Sequence, residues 1–192
     1  MATRESLLDV TARLYAEHGW RGTTTRRIAE AAGVNEVTLF RQFGSKESLL
    51  LQAIQHASIE SHPRPLPDQP GKLRRELCEW GVAHHASISE KSGIIRSCLA
   101  EWEERPALAP QVCEGGAVAF ADVTRYLGLA RERGAIGRQG SIDAAATMLV
   151  NAIFMDAMTR DVMPGAHPHS PAESIASFID VMLRGLGAAE AA

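Results

Sequence analysis

Residues 33–49 read GVNEVTLFRQFGSKESL. Glycines at 33 and 44 leave room between them for only a short helix, with Asn35 as its cap. Val34 and Leu39 then occupy the positions of a hydrophobic staple. Leu39 and Phe43, four residues apart, share a face that points back toward the preceding chain. Val37, Thr38 and Arg41 face the opposite way, with Phe40 and Gln42 on the flanks. By angle Glu36 lies near the inward stripe, but in the first turn it can project off the helix end. A helix this short is not stable alone, so packing has to hold it.

The flanking sequence supplies the partners. Leu7, Val10 and Leu14 form one buried stripe of a first helix, which His18-Gly19 closes. Thr24 caps a second helix with Ile28, Ala29 and Ala32 on its inner face, broken at Gly33. Ser45 caps a fourth, running through Leu49, Leu50, Ala53 and Ile54. HPRPLPDQPG, residues 62–71, holds four prolines in ten and is the clearest break in the chain. The expected organisation is a head at 1–61, a Pro-rich linker at 62–71 and a helical body at 72–192, all-α throughout with about nine helices.

In the body, Phe120, Val123, Leu127 and Ala130 mark one helix, with Arg131 and Arg133 in its last turn before Gly134. Gly115-Gly116 reads either as a kink or as a helix start. Residues 143–160 are apolar on nearly every side, apart mainly from Asn151 and Asp156, and a helix of that kind has to be covered all round. The last helix opens on SPAE, with Ser170 and Glu173 forming a capping box and Pro171 at the first position. The two helices together carry more apolar surface than one core uses. A helical dimer interface is the expected outlet, built from Ile153 and Ala157 with Ile175, Phe178, Ile179, Met182 and Leu186.

Net charge is −3, which argues against a wholly basic nucleic-acid coat. Residues 1–50 hold seven Arg/Lys against six Asp/Glu, leaving thirteen against seventeen in the remainder. Cys78, Cys98 and Cys113 have neither zinc-site nor disulfide-framework spacing and are expected to be small buried hydrophobes. There is no uninterrupted apolar run of membrane-spanning length and no signal-type N-terminus, so a cytoplasmic protein without a membrane partner is expected. No esterase elbow, zinc-protease helix or glycine-rich phosphate loop appears, which makes an all-α enzyme the weaker reading, and no cofactor is expected. Spacing alone leaves a DNA-binding helix-turn-helix and an ordinary three-helix corner both open.

Resemblance separates the two. Residues 4–54 resemble the N-terminal domain of TetR-family transcriptional regulators, through EHGW, TTTRRIAEAAGV, the T-L-aromatic centre and FGSKESLL in order without insertion. The resemblance implies a three-helix DNA-binding head, a linking fourth helix and a helical body, used as a homodimer on a palindromic double-stranded operator and released by a small-molecule effector. It implies that Thr24 and Arg26 meet phosphate or bases, and that Glu36, Val37 and Thr38 hold base-reading positions. Lys46 matches a phosphate contact. Phe40 stands where the family usually has Tyr, and Val37 where Gly is common. Glu36 is therefore expected to accept from a cytosine amino group, Val37 to pack on a thymine methyl and Arg41 to meet phosphate.

For an effector pocket the candidates are Trp80, His84, Trp102 and Phe120, with Met148, Asn151 and Met155 from the apolar helix. Asn151 needs a polar partner, in the pocket or across a dimer. His84 and His85 diverge by about 100° on a helix and do not share a metal ion, while His167 and His169 fall in a loop expected to be solvated.

Overall fold

The computed structural model describes residues 3–59 and 64–188. The described residues contain eight α-helices and no strand: α1 (Arg4–Gly22), α2 (Thr25–Ala32), α3 (Glu36–Phe43), α4 (Lys46–Ile59), α5 (Leu73–Glu101), α6 (Ala109–Glu132), α7 (Ile142–Thr159) and α8 (Pro171–Gly185). The all-helical expectation holds. The count is one below nine, and α6 runs straight through Gly115-Gly116. Two compact units result, one of residues 1–62 with 90–115, the other of 63–89 with 116–192.

In the first unit, Gly19 takes a non-helical conformation at the end of α1, where the sequence closes the helix. Gly33 sits in the left-handed region at φ 65°, where a side chain would be strained, and its N–H closes α2 onto Ala29 and Glu30. Leu7, Leu8, Leu14, Ile28, Leu39, Phe43 and Leu49 form one core, with Val34 packed against it in the staple position. Tyr15, Leu50, Ile54, Cys98 and Leu108 form a second, so the end of α5 and the turn after it are part of the head's foundation. Gly93 permits this approach, because a Cβ there would stand 3.0 Å from the Cβ of Ala16 and 3.2 Å from its carbonyl oxygen. Ser97 donates to the Tyr15 carbonyl at 3.1 Å and Lys91 to that of Ser58 at 3.1 Å.

In the second unit the described part of the Pro-rich segment is fastened down. Leu66 is buried, its N–H donates to Asp122 at 2.8 Å, and Arg125 donates to its carbonyl and to Asp68. Proline removes backbone donors, and this stretch is held largely by side chains of α6 instead. Arg131 does more than oppose a helix dipole: it donates to the carbonyls of Gly137, Gln139 and Gly140, fixing the turn into α7. Ser141 caps α7, and Ser170, Pro171 and Glu173 form the capping box at α8. α7 is long and apolar enough by composition to cross a membrane, yet it carries the buried Asp156 inside an ion network. Cys98 is buried and Cys78 half-buried, while the Cys113 side chain lies outside the described residues.

Candidate nucleic-acid interface

Recognition-type geometry in the head begins with α3. Asn35 Oδ1 accepts from the Val37 N–H at 2.9 Å, so the helix starts where the cap requires. Leu39 and Phe43 are buried, and the Arg4 guanidinium lies 5.3 Å from the Phe43 ring centre. The outer face is bare: Val37 is 70% exposed, Phe40 49%, and Arg41 and Gln42 are exposed beside them. Thr38 is half-buried on the flank. Thr24 spends its hydroxyl oxygen capping α2, accepting from the Arg27 N–H, and Arg26 pairs with Glu30 at 2.9 Å on an open surface.

Two side chains are more engaged than their spacing suggests. Glu36 is half-buried, and its Oε2 accepts from the Thr25 hydroxyl at 2.7 Å, joining the first residues of α3 and α2. Lys46 donates to the Trp20 carbonyl at 2.6 Å and lies over the Trp20 ring, whose centre is also 4.4 Å from Arg105. Burial, and then the neighbouring Arg105 charge, lowers the Lys46 pKa. An ammonium has three donors, so one bond to Trp20 leaves others for an anion. Thr25, Trp20 and Arg105 are the residues that motif reading missed. Thr25 stands in the TTT run, but nothing local marks a partner eleven residues away.

The remaining expected sites scatter. Trp80 and His84 are buried in the second unit with rings stacked at 5.0 Å, and Phe120 is half-buried there. Trp102 belongs to the first unit and is exposed. Met148, Asn151 and Met155 share an outward face of α7, with Met148 68% and Met155 54% exposed. Conversely Ile153, Ala157, Ile175, Ile179 and Leu186 are buried within the chain's own core, whereas Phe178 and Met182 keep partial exposure. A cavity of about 340 Å³ opens between α7, α8 and their connection, lined by Met155, Asp156, Thr159, His167 and Phe178 among others.

Part of that cavity's wall is a polar node. Asp156 accepts from Arg160 at 2.8 Å, from His85 Nε2 at 2.9 Å and from His167 Nδ1 at 3.1 Å. Burial pushes its carboxyl up, but the hydrogen bonds from Arg160, His85 and His167 outweigh that and hold it below the usual carboxylate range. His167 is thus a packed partner of α7 and departs from the solvated loop expected of it. Each imidazole nitrogen facing Asp156 has to carry a proton to make its bond, so those nitrogens offer no lone pair to a metal.

A short helix held by its inner face across a glycine turn, with its outer face bare, is a helix-turn-helix head. The family model for bacterial regulatory proteins of the tetR family matches residues 7–53. The head matches that family model by sequence, and over nearly its whole length the chain shares the fold of solved TetR-family regulators. The HTH-type transcriptional repressor KstR2 of Rhodococcus jostii is 51% identical over 85 residues, covering 44% of this chain and 37% of that protein. The HTH-type transcriptional regulator YvkB of Bacillus subtilis is 32% identical over 100 residues, 52% of each chain. The chain thus spans about half the length, or less, of the curated relatives it matches. Among solved structures, a TetR transcriptional regulator from Agrobacterium tumefaciens superposes with a TM-score of 0.74 at 18% identity, covering 97% of this chain and 94% of that one. At that identity the likeness is one of fold.

Proposed function

We propose that this chain is a sequence-specific DNA-binding transcriptional regulator, a homodimer whose body responds to a small molecule and thereby controls the head. The observation that carries this is α3, anchored by Leu39 and Phe43 while Val37, Phe40, Arg41 and Gln42 stand exposed. On this reading Glu36, Val37 and Thr38 read base edges, and Thr24, Arg26, Arg41 and Lys46 hold the phosphate backbone. Phe40 supplies apolar contact beside Val37, in place of a hydroxyl-to-phosphate bond. The head at 1–61 does the reading, and the body at 72–192 senses and dimerises.

The dimer face we favour is the outer side of α7 and α8, where Met148, Met155 and Val181 are exposed together with half-exposed Phe178 and Met182. Exposed apolar surface on neighbouring helices suits a second copy, and Asn151 then bonds across it. Repression is the favoured mode, in keeping with the repressor KstR2. A cytoplasmic location follows from the DNA partner.

The test is a binding array of operator variants, taken from DNA beside the protein's own gene, read by fluorescence anisotropy. Glu36→Ala and Val37→Ala are expected to flatten base preference at one position each, by about 5- to 100-fold. Lys46→Ala is expected to weaken all sequences evenly and to reduce the salt dependence. Even weakening by Glu36→Ala and Val37→Ala, with base preference unchanged, refutes the base-reading roles.

A further inference from the structure

We propose that Thr25 is a positioning residue for specificity: its hydroxyl fixes the rotamer in which Glu36 reads DNA. The inference rests on the base-reading role of Glu36 and adds a residue to which that reading assigned nothing.

The geometry is specific. Thr25 is the first residue of α2 and Glu36 the first of α3, and the Thr25 hydroxyl donates to Glu36 Oε2 at 2.7 Å. A threonine hydroxyl has a single proton, and here it is committed to that carboxylate oxygen. The other oxygen, Oε1, remains available as an acceptor. An ionised carboxylate accepts hydrogen bonds and donates none, so of the groups in the major groove it suits amino donors, above all the cytosine N4 amino group.

Holding the side chain matters more for Glu36 than for its neighbours. Glutamate has several rotatable bonds, and freezing them on binding costs affinity unless they are already fixed. A free carboxylate is also repelled by the phosphates on either side of the groove and swings away from them. With Thr25 gripping Oε2, the rotamer is set before DNA arrives and the carboxylate stays half-buried between two helix starts. Both helix N-termini carry partial positive charge, which favours an anion there. Arg26 on α2 is paired with Glu30 at 2.9 Å and acts on Glu36 only as a weaker through-space charge, so the hydrogen bond from Thr25 is what directs Glu36.

The test is the operator array with the full chain and three variants, Thr25→Val, Thr25→Ser and Glu36→Ala. Valine keeps the branched shape and removes the hydroxyl. Thr25→Val is expected to lower cytosine preference about 3- to 10-fold at the one position that Glu36→Ala flattens, the range of a single hydrogen bond. Preference elsewhere and affinity for random-sequence DNA are expected to stay as in the parent chain, and Thr25→Ser to restore the lost preference. Thr25→Val that weakens every sequence alike would mean a phosphate contact or a merely structural role, and would overturn the proposal. So would a Thr25→Val profile identical to the parent. A parent chain that selects no sequence overturns the regulator reading itself, whereas selection that responds to Glu36→Ala but not to Thr25→Val overturns only the role of Thr25.

Discussion

Asp156→Ala is expected to lower the stability of the chain by about 3 kcal/mol, seen as a fall of roughly 10 °C in its melting temperature. The carboxylate is only 3% exposed and serves three cationic or polar partners at once, from α5, from the C-cap of α7 and from the connection to α8. Truncation does not return those partners to water. Arg160 keeps its bonds to the His169 carbonyl and Ser174, so its charge stays half-covered without the carboxylate that balanced it. His85 and His167 lose the acceptor that orients them. Removing one member of a buried charge cluster costs more than the cluster as a whole contributes, since the desolvation already suffered by the others is no longer offset.

The pH dependence follows from the same carboxylate. Its pKa is depressed in the folded chain, so its stabilisation is fully present above the ordinary aspartate value of about 3.9. That stabilisation is lost as pH falls through the lower folded value. Urea titrations from pH 7 down to pH 3 are expected to show a contribution that Asp156→Asn lacks. Melting of Asp156→Ala within about 1 °C of the parent would contradict the role given to the node.

Phe43→Ala is expected to weaken DNA binding strongly although Phe43 lies buried inside the head. Phe43 is buried in the head core, and deleting its ring costs about 3–5 kcal/mol. α3 has eight residues, too few to persist without that anchor. Binding is expected to fall at least about 100-fold. Phe40→Ala is the contrast. Phe40 is half-exposed on the same helix, and its loss is expected to change stability by less than about 1 kcal/mol while still weakening operator binding. Equal destabilisation by the two substitutions, measured by urea unfolding, would mean that α3 is held in some other way.

What could be read from the sequence was local. Thr24, Asn35, Ser45 and Ser170 announce helix starts because a short polar side chain satisfies backbone donors within three residues. Gly33 announces a stop for an equally local reason. Leu39 and Phe43 declare an inner face by their spacing, and the outer face of α3 follows by exclusion. Hence the head and its exposed helix are legible in the sequence itself.

The misread features depend on distant partners. Asp156 meets His85 from 71 residues away, and no spacing rule connects them. In α7 nearly every position is apolar, so periodicity cannot say which side faces the core. Ile153 and Ala157 turned inward, whereas Met148, Asn151 and Met155 turned out. Gly81 and Gly93 each cost a helix about 1 kcal/mol relative to alanine, yet α5 continues through both. At Gly81 a Cβ would stand 2.7 Å from Ile175, and close packing of that kind is invisible until the second helix is known.

The most direct test of the regulator reading is selection of the purified chain against a random double-stranded DNA library, followed by titration of the enriched sequences. The expected result is one enriched pattern of two inverted half-sites, bound at least about a thousandfold more tightly than bulk DNA at the same salt concentration. Recovery of sequences no better than the starting library would contradict the claim that α3 reads DNA.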